Sequence, residues 1–218
     1  MKKQGVSIGG VELTHQKIDN SRSIPSGFRE LDELTSGFHK SELILIASYP
    51  GMGKTALAMA VMVNIAVKDR IPLGVISLEM SIEAILQHIL QIEAKAGSSS
   101  LSVPEFHRFN EVAGDVHDAP LYLDDTPGMK ISDLIAGIRN MREDHLIEIA
   151  LIDYLNLIGS DSQQGSRSEQ ITQTTRRLKD LACELEMPII LLVQVCRNAE
   201  KRMPGFEELQ HIGNLKQH

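Results

Sequence analysis

The sequence predicts an α/β fold, a mostly parallel sheet with helices on both faces. Apolar runs of strand length alternate with helical segments from about residue 42 onward. The runs "ELILIAS", "LGVISLE" and "PIILLVQV" are apolar almost throughout, as strands covered on both faces must be, instead of alternating with polar residues. A third observation is "SYPGMGKT", from Ser48 to Thr55, where glycines, a lysine and a threonine crowd the junction of a strand and a helix.

The bulk composition agrees. With 218 residues and 42% hydrophobic side chains, the chain can close one well-buried core. Aromatic residues make up only 4% and tryptophan is absent, so Ile, Leu, Val, Met and Ala must fill that core. A net charge of −7 and an isoelectric point near 5.6 exclude a protein that coats nucleic acid or anionic membrane with its whole surface. Cys183 and Cys196 form no C-x-x-C pair, which indicates neither a disulfide framework nor a zinc site and fits a reducing compartment. The start "MKKQGVSIGG" has no apolar segment of signal-peptide length, and no apolar run reaches membrane-spanning length. A soluble cytoplasmic protein without membrane contact is expected. The eight histidines are scattered singly and suit packing or surface roles better than metal binding.

Taken in order, residues 1 to 23 are polar and glycine-containing and are expected to be an arm or linker remnant. The packed domain, 24–218, begins with "IPSGFRELDELTSGF": a turn at Pro25 to Gly27, a short helix through Leu31 and Leu34, and a stop at Gly37. Strands are expected at 42–48, 73–79, 121–125, 147–158 and 188–195. Helices are expected at 54–69, 81–96, more weakly through "VPEFHRFNEVAGDVHD", at 132–145 with Ser132 as cap, and at 169–186. The last of these places Ile171, Leu178, Leu181, Ala182 and Leu185 on one stripe. After Val195 the pattern fades into polar residues.

The chemistry follows from the glycine-rich loop. Gly53, Lys54 and Thr55 match the end of the phosphate-loop pattern G-x-x-x-x-G-K-[ST], while Ser48 stands at its first glycine position. Gly51 and Gly53 still let the backbone wrap an anion closely, so Ser48, Pro50, Gly51, Met52, Gly53, Lys54, Thr55 and Ala56 are the expected nucleotide-binding residues. A nucleoside triphosphate carries Mg²⁺, which wants a carboxylate beside the Thr55 hydroxyl. Asp153, closing the apolar run "IALID", supplies one at the strand end that faces such a crevice. Hydrolysis also needs a base to orient water, and Glu79 closes "VISLE" in the same way. Asp124 and Asp125 end "LYLDD" and compete for that role, although capping the turn before Pro127 and the next helix suits them better. Gln194 ends the fifth strand, where its amide could bond the γ-phosphate or be satisfied by loop backbone. Arg197, three residues on, could contact phosphate or nucleic acid or stay solvated.

This order of elements resembles the RecA-like P-loop NTPase core, and the residues resemble one family within it, the DnaB-type replicative DNA helicases. The resemblance rests on "SIPSGFRELDELTSGFHKSELILIASYPGMGKTALAM", "VISLEMS", "LYLDDTPGM", "LIDYLNLI" and "RRLKDLACELEMPIILLVQVCR", and runs from about residue 24 to 218 in register. It implies that Lys54 holds the β/γ-phosphates of ATP, Thr55 the magnesium, Asp153 the magnesium through water, and Glu79 the attacking water. Gln194 would couple the γ-phosphate to DNA-facing loops. It further implies a homo-hexameric ring on single-stranded DNA, with primase and a helicase loader as possible partners.

Two loops would meet DNA by the same resemblance: 159–168 with Arg167, and 198–217 with Lys201, Arg202, Gln210, Gly213 and Lys216; Arg197 stands just before the second. Gln210 stands where the family usually has arginine and Lys216 where it usually has glutamate. The domain is expected to be incomplete at its C-terminus, ending before the family's arginine finger. The first reading is thus an ATP-hydrolysing motor; the alternative is a RecA-fold ATP-binding switch or assembly module that does not unwind DNA by itself.

Overall fold

A computed structural model describes residues 6–8, 11–13, 23–94, 111–161 and 166–194. Two short strands, β1 (Val6–Ile8) and β2 (Val11–Leu13), pair antiparallel. The rest follows the expected alternation: α1 (Arg29–Thr35), β3 (Leu43–Ser48), α2 (Lys54–Met62), β4 (Leu73–Ser77), α3 (Ile82–Ala94), a helical segment α4 (111–117), β5 (Leu121–Asp124), α5 (Ile131–His145), β6 (Ile149–Asp153), α6 (Arg167–Glu184) and β7 (Ile189–Gln194). From Val63 to Lys68 helix α2 continues as π-helix.

Strands β3 to β7 form one parallel sheet in the order β3-β7-β6-β4-β5. The chain steps outward from β3 to β4 and β5 with α2, α3 and α4 on one face, then returns through β6 and β7 with α5 and α6 on the other. That reversal leaves β7 between β3 and β6, so a crevice opens at the carboxyl ends of these strands.

Each strand feeds both cores. In β7, Ile189, Leu191 and Val193 pack toward α5 and α6, whereas Ile190 and Leu192 pack toward α2 and α3. In β6, Ala150 and Ile152 face the first cluster and Ile149 and Leu151 the second. All nine of these residues are at most 2% exposed. This explains the unbroken apolar runs, since each Ile, Leu or Val buried here contributes about 1.5–3 kcal/mol.

Several boundaries differ from expectation for local reasons. The fourth strand stops at Asp153, and Leu155–Leu157 turns as 3₁₀-helix. Helix α6 starts at Arg167 because Ser166 and Glu169 form a capping box. Ser132 is not the cap of α5: the helix begins at Ile131, and both the backbone N–H and the hydroxyl of Ser132 donate to the Asp161 carboxylate. Leu34 of α1 is 86% exposed. The α6 stripe is as read, with Leu178, Leu181 and Ala182 buried and Ile171 and Leu185 packed at its margin. Among the described residues no helix is long and apolar enough to cross a membrane.

Candidate functional site

At the carboxyl end of β3 the chain turns through Tyr49 to Gly53 into α2. Gly51 and Gly53 have φ of 77° and 83°, left-handed values that side-chain-bearing residues rarely adopt. A Cβ at either would meet nothing within 4 Å, so both glycines answer to backbone conformation and leave open space above the loop. Gly53 is the N-cap of α2 and no side chain caps that helix. Its first amides and the positive end of its dipole are therefore available to an anion.

The cleft above the loop has a volume of about 420 Å³. Ser48, Pro50, Gly51, Gly53, Lys54, Thr55 and Ala56 line it from the loop side, with Glu79 from beyond the end of β4 and Gln194 from the end of β7. Met52 does not line the cleft and is 56% exposed.

Lys54 reaches inward. Its ammonium donates to Asp153 Oδ1 at 2.8 Å, with both side chains under a tenth exposed. It also lies 4.7 Å from the centre of the Tyr154 ring. Burial is the main cause of a raised Tyr154 pKa, reinforced by the negative charges of Glu79 and Asp153. The hydroxyl therefore stays protonated in a site whose carboxylates outnumber its cations nearby. The Asp153–Tyr154 peptide bond is cis.

The three strands beyond the loop are held in register at this rim. Ser48 pairs with Gln194, and Ser77 pairs with Asp153. The Gln194 N–H donates to Asn156 Oδ1 at 3.3 Å. Glu79 lies two residues past the end of β4, in a bend instead of at the strand end expected. Asp124 accepts from the Thr126 N–H and hydroxyl, and Asp125 accepts from the Ile82 N–H at the start of α3. Both acids are thus used as caps, Asp124 for its own turn and Asp125 for helix α3, not for the helix that follows.

Among the described residues no three His, Cys, Asp or Glu gather to form a metal cage. Mg²⁺ bound with a phosphate substrate keeps several waters and needs only one or two protein ligands. Thr55 at the cleft and Asp153 beneath it suit that requirement, and the open left-handed loop suits a polyphosphate. Arg167 begins α6. Arg197, Lys201, Arg202, Gln210, Gly213 and Lys216 lie outside the described residues.

A sheet in this order, with a phosphate-type loop at its switch point and acids on the neighbouring strands, defines a RecA-like α/β P-loop domain. The DnaB-like helicase C-terminal domain model matches residues 23–218, and the chain belongs to that family. It is 38% identical over 215 residues to the replicative DNA helicase DnaB of Treponema pallidum, covering 96% of this chain and 49% of the relative. Against the DnaB of Geobacillus stearothermophilus the identity is 34% over 216 residues, covering 95% and 48%. The chain spans about half the length of these relatives. Among solved structures, a DnaB-like replicative helicase studied with its interactions with primase gives a TM-score of 0.79 at 28% identity, covering 89% of this chain and 50% of that one. A second solved structure, an ATPase domain, gives a TM-score of 0.80 at 27% identity, covering 87% and 71%.

Proposed function

We propose that this chain is the ATP-hydrolysing motor domain of a hexameric replicative DNA helicase that moves on single-stranded DNA in the cytoplasm. One observation carries the reading: Lys54 at the start of α2, Asp153 and Gln194 at the ends of β6 and β7, and Glu79 in the bend after β4 gather around one open glycine loop. Lys54 exchanges its bond with Asp153 for the β/γ-phosphate oxygens of ATP. The backbone from Ser48 to Ala56 and the α2 amides hold the remaining phosphate charge. Thr55, and Asp153 through water, would hold Mg²⁺, which when bound neutralises charge on the phosphates and the leaving group. Glu79 orients a water and accepts its proton as the oxygen bonds to the γ-phosphorus and the bond to the β-phosphate oxygen breaks, leaving ADP and phosphate.

Gln194 sits between the loop strand and the Asp153 strand, where loss of the γ-phosphate is felt by both. Arg167, Arg197, Gln210, Gly213 and Lys216 belong to the DNA-contacting segments in this reading, which draws on the family for the ring, the DNA, primase and a loader. The test is ATP turnover by this chain with and without single-stranded DNA, with Lys54→Ala as control. DNA stimulation that disappears in the variant supports the motor. Nucleotide binding with no stimulation and no ring favours the switch or assembly module instead.

A further inference from the structure

We propose that Ser77 is the positioning residue for Glu79, fastening the turn that carries its carboxylate into the cleft; this rests on Glu79 acting as the base of ATP hydrolysis. Ser77 ends β4 and is 3% exposed, on the face where Leu73 and Val75 pack toward α2 and α3. An apolar residue would suit that position. Its hydroxyl instead donates to the Met80 carbonyl at 2.7 Å and accepts from the Met80 N–H at 3.1 Å. Those two bonds close a turn over Leu78 and Glu79. On the other flank, the Leu78 N–H donates to the Asp153 carbonyl at 2.7 Å, where Ser77 and Asp153 are register partners.

Glu79 therefore stands between two fixed residues, one tied by a buried hydroxyl and one by the strand that carries Asp153. A general base must come within about 2.6–3.2 Å of the proton it takes. A misplacement of about 1 Å can cost on the order of a hundredfold in rate. Ser77 does not line the cleft and acts only through the turn.

The test compares Ser77→Ala, Ser77→Val, Ser77→Thr and Glu79→Gln with the unchanged chain. Steady-state ATP turnover with Mg²⁺, direct binding of a fluorescent ATP analogue, and thermal unfolding are measured for each. Ser77→Ala and Ser77→Val are expected to lower kcat about ten- to a hundredfold. KM and analogue Kd should stay within about twofold, the signature of a loss confined to the chemical step. Ser77→Thr, which keeps the hydroxyl, should recover most of kcat. Valine and threonine differ only by methyl for hydroxyl, so that pair decides even where alanine does not fold. Equal kcat in the Val and Thr variants overturns the proposal. So does equal loss of folding in both, or a KM that rises as kcat falls. Parental turnover by Ser77→Ala beside an inactive Glu79→Gln overturns it while leaving Glu79 as base. Undiminished turnover in Glu79→Gln sinks the reading of Glu79 itself, and the proposal with it.

Discussion

Removing one partner of the Lys54–Asp153 pair should destabilise the fold far more than removing both. At 2.8 Å the attraction is about 6 kcal/mol at an effective dielectric constant of about 20. Most of it offsets the cost of taking both charges out of water, because the side chains are only 8% and 6% exposed. Lys54→Met strands the Asp153 carboxylate, and Asp153→Leu strands the Lys54 ammonium. Each should cost about 3–5 kcal/mol. In a domain of this size that is a fall in Tm of roughly 6–20 °C. The double variant buries no lone charge and should regain most of the loss. Urea unfolding of all four proteins, in nucleotide-free buffer with chelator, gives the coupling energy directly. The Tyr154 ring loses its cation in both lysine variants, so that contact cancels in the cycle. Single variants within about 1 kcal/mol of the parent, or a double variant as unstable as the sum of the singles, would refute a buried, mutually dependent pair.

Three further outcomes are expected. Gly27 has φ of 79°, and a Cβ there would lie 2.3–2.6 Å from the Asn64 side chain that donates to the Ser26 carbonyl, so Gly27→Ala should cost about 1–3 kcal/mol in urea unfolding. Tyr154, with its hydroxyl pKa raised above 10.0 chiefly by burial, favours the fold fully below pH 10 and loses that contribution as pH climbs through the folded value; Tyr154→Phe should flatten this alkaline decline when stability is followed by circular dichroism. Asp161, with its pKa held below 3.8 chiefly by the Arg177 hydrogen bond, contributes stability above pH 3.8 that disappears as pH falls toward the folded value, and Asp161→Asn should remove that part of the acid transition.

What the sequence made legible follows from how local each cause is. The strands of the sheet announced themselves because each residue is buried on one face or the other, and the phosphate loop because its glycines are adjacent to Lys54 and Thr55. The capping box at Ser166 and Glu169 was equally local, a Ser followed three residues on by Glu, and could have fixed the start of α6. Alternating residues around the glycine pair in "VSIGGVEL" likewise carried a hairpin signal for β1 and β2. Other features depend on distant partners. Asp125 caps α3 across 43 residues, and Asp161 takes the place of a cap at Ser132 across 29. Ser77 looked like an ordinary strand residue, because its partner is a backbone group in a turn that only the folded chain creates. Glu79 was recognisable as an acid closing a strand, but the bend that aims it was not.

Among the described strands, β3 has only β7 beside it. The segment that bears the phosphate loop is thus synthesised well before its partner and pairs only when Ile189–Gln194 has emerged from the ribosome. Until then β4, β5 and β6 can assemble into their own three-stranded ladder while "LILIAS" waits unpaired. Such a chain carries an exposed, β-prone stretch while every residue between β3 and β7 is made, so its yield in the cell should depend on chaperone capacity and elongation rate more than the finished stability suggests.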